Sequence, residues 1–273
     1  MLWKRIATAA VLIPLLIASI LLSVGRPGGW PFLLLCAVAA ALCADEGFRM
    51  FLHGAGDRVS GVALAVLAYF STALLPGSFA VPALLVCVLL SVFHVLPGAA
   101  DPVEKARRAA TLSLGTIYVG GLLSTYPRTL LLPRGEHWVL LGILAVAAGD
   151  TFAYFTGRAI GRRKLAPAVS PNKTVEGAVG GLLGSVGFAV LYAHGFLPGV
   201  PAGYVAAAGA AVGIFGQAGD LFESLIKRAA GVKDSGTILP GHGGMLDRAD
   251  GILASGPILY LFAALSSHAG VAA

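Results

Sequence analysis

WVLLGILAVAAGDTFAYFTGR, Trp138 to Arg158, runs for twelve residues without a charge and then places Asp150, Tyr154 and Arg158 four residues apart. The apolar part is continuous, without the period-two alternation of a lipid-facing strand, so it predicts a helix. The spacing of four puts the three polar residues on one helix face. Charge is costly inside a membrane, so such a stripe marks a span that turns one side toward something other than lipid.

The same kind of apolar run recurs along the chain. The sequence is 57% apolar and 12% charged with a mean hydropathy of +0.85, whereas a soluble domain carries about 25% charged residues. This composition belongs to an integral membrane protein without a sizeable soluble domain, and nucleic acid is not among its expected partners. A span needs about 20 mainly apolar residues. Candidates fall near 6–24, 31–50, 59–76, 79–97, 109–126, 138–156, 176–195, 203–226 and 250–268.

The expected fold is therefore an all-α polytopic membrane protein of about nine transmembrane helices in one bundle. It is read as a single integral membrane domain over 1–273, with mainly apolar N-terminal spans over 1–149 and a polar, catalytic region over 150–251.

Local signals refine this map. MLWKRIATAAVLIPLLIASILL has a cationic start and a long apolar run but no small-x-small cleavage site, and reads as an uncleaved first span. Pro76-Gly77 separates the third and fourth spans. DPVE, Asp101 to Glu104, is a helix N-cap followed by Pro and, two residues later, an acid. Cys36, Cys43 and Cys87 lie in apolar runs and form no C-x-x-C pair, which points to buried thiols. Gly177, Gly180, Gly181 and Gly184 give small-x-x-x-small spacing, a close-packing signal and the basis for an expected homodimer.

With nine crossings and a cytoplasmic N-terminus, all of the 19 Lys and Arg except Arg26, Arg128 and Arg134 fall inside, as the positive-inside rule requires. Loops 157–175 and 227–249 are then cytoplasmic. A bacterial-type plasma or inner membrane is expected.

The chemistry concentrates around those loops. GQAGDLFESLIKR places Asp220, Glu223, Ser224 and Lys227 at i, i+3, i+4 and i+7. Then Lys227, Arg228, Lys233, Asp234, His242, Asp247, Arg248 and Asp250 crowd together with Gly231, Gly236, Gly241, Gly243 and Gly244. The glycines of PGHGG permit close backbone approach, so the turn can present N–H groups to an anion. Asp247 and Asp250, one turn apart, form with Asp220 a candidate three-carboxylate set for Mg²⁺, in one or two sites, completed by substrate phosphates and water.

His242 reads as a hydrogen-bonded loop residue rather than a metal ligand. In SPNKTVEG, Ser170, Asn172, Lys173 and Thr174 offer donors ahead of a helix N-terminus, where phosphate is favoured. The chain contains no G-x-x-x-x-G-K-[ST]. The plainer alternatives are a structural ion pair such as Asp220 with Lys227 or Asp150 with Arg158, a simple turn at PGHGG, and a positive-inside run at Arg162 to Lys164.

SLIKRAAGVKDSGTILPGHGGMLDRAD, Ser224 to Asp250, resembles the signature of the phosphatidate cytidylyltransferase family, the CDP-diacylglycerol synthases. Ser224, Ile226, Lys227, Arg228, Lys233, Asp234, Gly236, Leu239, Pro240, His242, Gly243, Gly244, Met245, Asp247, Arg248 and Asp250 fill its places at the right spacing. Ala249 stands where that family usually has a larger hydrophobic residue or Thr, which removes no chemical group. DTFAYFTGR and SPNKTVEG look like the family's other polar region, so the specific likeness covers mainly 150–251.

The resemblance implies the reaction of CTP with phosphatidic acid, drawn from the cytoplasmic leaflet, to give CDP-diacylglycerol and pyrophosphate in phospholipid biosynthesis. On that reading Asp220, Asp247 and Asp250 hold Mg²⁺, while Lys227, Arg228, Lys233 and Arg248 neutralise phosphates. Ser170, Asn172, Lys173, Thr174, Ser224, His242, Gly243 and Gly244 contact the substrates. The alternatives are an ion-coupled transporter, which also uses carboxylates within spans, or another CTP-dependent lipid enzyme such as a polyprenol kinase or CDP-archaeol synthase.

Overall fold

Glycine, proline and short polar caps set the limits of the helices. In a computed structural model describing residues 2–97, 99–241 and 243–268, α1 (Leu2–Ser23) ends just before Gly25, whose φ of +72° no other residue adopts as easily. A short 3₁₀ turn at Pro27–Gly29 leads into α2 (Trp30–Phe51). Ser23 ties this corner: its hydroxyl donates to the Ser19 carbonyl at 2.7 Å and accepts from the Phe32 amide at 2.9 Å. The chain continues through α3 (Ala55–Leu74) and α4 (Gly77–Val95), split at Pro76 as the sequence predicts.

The predicted cap at Asp101 is present. Its carboxylate accepts from the Val103 amide at 2.8 Å and the Glu104 amide at 3.4 Å, opening α5 (Pro102–Gly115). The Arg107 guanidinium hydrogen-bonded to Glu104 holds that exposed carboxyl below the usual carboxylate range. Asp57 on α3 joins the same face, bonded to Arg108 of α5 and to His94 of α4 at 3.2 Å.

α5 is also where the structure departs from nine uniform spans. Helical backbone continues through a π-helical turn at Thr116–Gly121, and a six-residue helix, α6 (Thr125–Leu130), follows Ser124. The predicted span 109–126 therefore covers the end of α5, the π turn and the start of α6. The first turns of α5 carry Glu104, Lys105, Arg107 and Arg108, so its apolar stretch is short. At Gly120 a Cβ would collide with the Ala65 carbonyl, so the π turn lies backbone-to-backbone against α3.

Beyond it come α7 (Gly135–Ile160), a β-hairpin of β1 (Lys164–Ala166) and β2 (Ser170–Thr174), α8 (Val175–Phe196), α9 (Ala202–Ala229) and α10 (Leu246–His268). Eight helices among the described residues are long and apolar enough to cross a membrane. The fold is that of an all-α polytopic membrane protein, with the two-stranded hairpin as its one addition among the described residues.

The chain divides into two compact units, each discontinuous. One comprises Met1–Arg128 with Asp234–Ala249, the other Thr129–Lys233 with Asp250–Ala273. In the second unit α8 packs against α7 through the glycine series read from the sequence. A Cβ on Gly181 would lie 2.9 Å from the Gly149 carbonyl and from the Ala153 side chain, and one on Gly184 would meet the Phe152 ring at 2.7 Å. Ser185 on the same face donates to the Ala145 carbonyl at 2.9 Å. Small residues here let two backbones approach where packing is the main attraction between helices in lipid.

Candidate active site

In the second unit, the polar end of α9 meets the hairpin. β1 and β2 pair antiparallel, with Lys164 opposite Thr174 and Ala166 opposite Ser170. The hairpin is fixed to α8 at both corners: Thr174 caps that helix, its hydroxyl accepting from the Gly177 amide at 3.1 Å, and the Glu176 carboxylate accepts from the amides of Arg162 at 3.0 Å and Arg163 at 3.2 Å. Thr174 is buried, so its hydroxyl serves the helix cap. Ser170, Asn172 and Lys173 lie along β2.

Lys173 reaches α9. Its ammonium sits 2.6 Å from the Asp220 carboxylate, and Ser224, one turn on, directs its hydroxyl to the other Asp220 oxygen at 3.4 Å. Glu223, fully buried, pairs with Lys227 at 2.5 Å across the next turn. The ion pair between Asp220 and a lysine is thus real, but its cation comes from the hairpin. Arg158 donates to the Tyr154 hydroxyl at 3.0 Å, the contact that their spacing of four foretold. Arg228 is exposed and directs its guanidinium to the Val169 carbonyl at 3.4 Å and the Val232 carbonyl at 3.3 Å; Lys233 is exposed.

Asp250 belongs to this unit too. A Cβ on Gly219 would lie 2.6 Å from the Asp250 carbonyl, so the backbones of α9 and α10 touch beside Asp220. Carboxylates on two helices in such close contact suit a hard divalent cation, which takes one or two of them together with phosphate and water. Among the described residues no three His, Cys, Asp or Glu side chains form a metal-holding group by themselves. Asp220 and Asp250 fit the lesser role of a carboxylate pair that a phosphate ligand completes.

The third expected ligand, Asp247, lies in the first unit. Its carboxylate accepts from the Ser235 amide at 3.0 Å and the Gly244 amide at 2.8 Å, so it anchors the signature loop. The PGHGG turn is closed by a bond from the Leu239 amide to the Gly243 carbonyl at 3.0 Å, and Gly243 takes a φ of +83°. His242 lies outside the described residues. The Gly244 amide, expected to face a bound anion, is engaged by Asp247. Arg248 follows in the first turn of α10.

One residue of this loop's surroundings is absent from the sequence reading. Glu46, on α2 and 5% exposed, accepts from the Ser235 hydroxyl at 3.1 Å, the Met245 amide at 3.0 Å and the Leu246 amide at 2.9 Å. A signal was available: an acid inside the predicted span 31–50 is as costly as Asp150 or Asp220.

An apolar groove of about 800 Å³ runs along α7 and α8 in the second unit. Phe152, Ile160, Val179, Leu183, Phe188 and Leu191 line it, and Glu176 borders it.

Helices long and apolar enough to cross a membrane, with carboxylate–ammonium pairs at their polar ends, define a polytopic membrane protein. The profile of the cytidylyltransferase family matches residues 3–266, and the chain belongs to that family. It is similar to proteins named phosphatidate cytidylyltransferase: 45% identical over 140 residues to one from Brucella abortus, covering 51% of each chain. Another from Thermotoga maritima is 39% identical over 175 residues, covering 59% of this chain and 61% of the relative. A third from Bacillus subtilis is 40% identical over 157 residues, covering 57% and 58%. The chain thus spans about half to three-fifths of the length of the curated relatives it matches.

Proposed function

We propose that this protein is a phosphatidate cytidylyltransferase, converting CTP and phosphatidic acid to CDP-diacylglycerol and pyrophosphate. The observation that carries the reading is the Lys173–Asp220 pair beside Asp250 at the polar end of a membrane helix, in a chain of the cytidylyltransferase family. Membership of that family gives the transporter reading no support.

A lipid phosphate oxygen attacks the α-phosphorus of CTP, the new P–O bond forms, and the bond to the β-phosphate oxygen breaks to release pyrophosphate. A phosphate monoester is already anionic near neutral pH, so no side chain has to remove a proton. What the protein supplies is approach of two anions in the right geometry.

Asp220 and Asp250 would hold Mg²⁺, which when bound neutralises phosphate charge and orients the leaving group. Lys173, already beside Asp220, swings its ammonium between carboxylate and phosphate. Lys227, Arg228, Lys233 and Arg248 neutralise the triphosphate and the departing pyrophosphate. Ser170, Asn172 and Ser224 offer hydroxyl or amide donors to phosphate oxygens. The groove along α7 and α8 takes an acyl chain, with its lipid headgroup at the Glu176 end. Active-site loops and N-terminus face the cytoplasm, where CTP is found.

The test is direct. Purified protein incubated with Mg²⁺, phosphatidate-containing vesicles and CTP should yield CDP-diacylglycerol and pyrophosphate in equal amounts. Folded protein that gives neither over a range of metal concentrations would sink the proposal.

A further inference from the structure

Glu46 has no part in that reaction, yet its carboxylate is among the most fully engaged in the structure. It lies on α2, almost completely buried, and its partners come from a segment 189 to 200 residues away in sequence. One oxygen accepts the Met245 amide, and the other accepts both the Leu246 amide and the Ser235 hydroxyl. All three partners are donors, so the site calls for a group that only accepts, as an ionised carboxylate does.

Two of these donors are amides at the start of α10, which have no partner within the helix. Glu46 therefore caps α10 from another helix, with the favourable end of the helix dipole facing its charge. The loop is shaped around it. A Cβ on Gly236 would lie 2.5 Å from one Glu46 oxygen, and a Cβ on Gly244 would strike the other. Ser235 is gripped twice, its hydroxyl by Glu46 and its amide by Asp247.

We propose that Glu46 is a positioning residue: it sets residues 235–246 and the first turn of α10, and through them the placement of Arg248 for phosphate handling. The catalytic part of this inference rests on the function proposed above. The structural part does not, and the two are separable by experiment.

Glu46→Gln keeps the size of the side chain but turns an NH₂ toward a backbone N–H, whereas Glu46→Asp is shorter and remains an acceptor. Hydrogen exchange of the full-length protein in detergent should show the Met245 and Leu246 amides exchanging at least tenfold faster in Glu46→Gln, with α7 to α9 unchanged. Turnover per folded molecule should fall at least tenfold, with KM for phosphatidate unaltered, and Glu46→Asp should retain more activity than Glu46→Gln. A role in packing alone predicts the opposite order, because Gln is the closer match in size.

If Glu46→Gln does not fold, Ser235→Ala removes one donor and should still speed exchange at Met245 and Leu246 and lower turnover. Wild-type exchange in Glu46→Gln, or in Ser235→Ala when the former does not fold, overturns the proposal, as does Glu46→Gln being more active than Glu46→Asp. A wild-type protein that makes no CDP-diacylglycerol overturns the proposed function instead, and the exchange measurement still decides whether Glu46 holds the loop.

Discussion

The ammonium of Lys173, on the second strand of the hairpin, lies 2.6 Å from the carboxylate of Asp220 on α9. Both side chains are about a third exposed, so the pair adds at most about 1 kcal/mol to stability. Its importance is that it joins the two polar segments of one unit. Lys173→Met should therefore lower turnover by about 100-fold, the scale of losing one aligned charge donor, while the melting temperature in detergent stays within a few degrees. A large loss of melting temperature with activity per folded molecule preserved would make the pair structural.

Metal dependence separates the three aspartates. Asp220→Asn and Asp250→Asn should raise the Mg²⁺ concentration for half-maximal activity at least about tenfold. Asp247→Asn should lower activity without moving that concentration, because its carboxylate is bonded to the Ser235 and Gly244 amides. A shifted Mg²⁺ requirement in Asp247→Asn would return it to the metal set.

Helix packing in the second unit gives a prediction independent of chemistry. Gly181→Leu inserts a side chain where even a Cβ would lie 2.9 Å from the Gly149 carbonyl, and should cost about 1–3 kcal/mol or more. Gly187, one and a half turns further along α8, has nothing within 4 Å of a Cβ. Gly187→Ala should leave thermal stability equal or higher, and the contrast between the two variants is the measurement.

Sidedness turns on the helical run from α5 through its π turn. The proposed orientation requires that run to cross, which places the turn after α6 outside and the loop after α9 inside. In intact cells a membrane-impermeant maleimide should label Leu131→Cys but not Val232→Cys, and in inverted vesicles the pattern should reverse. Because α7, α8 and α9 lie between the two positions and keep them on opposite sides, labelling of Val232→Cys but not Leu131→Cys in intact cells would remove the fifth crossing.

The parts of the fold carried by local chemistry were legible in the sequence. The break at Pro76, the cap at Asp101 and the close approach of α8 at its glycines each depend on residues a turn or two apart, or on side chains that are simply missing. The π turn was not legible, since it reflects how closely Gly120 approaches the Ala65 carbonyl of another helix. The hairpin at SPNKT was read only as a loop before a helix, because strands of three and five residues show no usable alternation.

At the site, the sequence reading singled out Asp220, Lys173 and Asp250, and its plainer alternative paired Asp220 with Lys227, on its own helix. Spacing reveals neighbours within an element, and the hairpin lysine comes from outside it. Thr174 and Asp247 were read as facing substrate or metal, and in the structure their side chains accept from backbone amides, partners that no local spacing reveals. Glu46 was missed because its donors are 189 residues and more along the chain, beyond any local pattern.

The interleaving of the two units has a consequence in time. Ser235 follows Glu46 by 189 residues, and at roughly 5–20 residues per second a ribosome needs about 10–40 s to bridge that interval. Throughout it, the acid of α2 is already made and must wait for donors not yet synthesised. The first unit to begin is thus unable to finish until residues 234–249 have emerged, and a message broken before them would leave the Glu46 carboxylate without these donors.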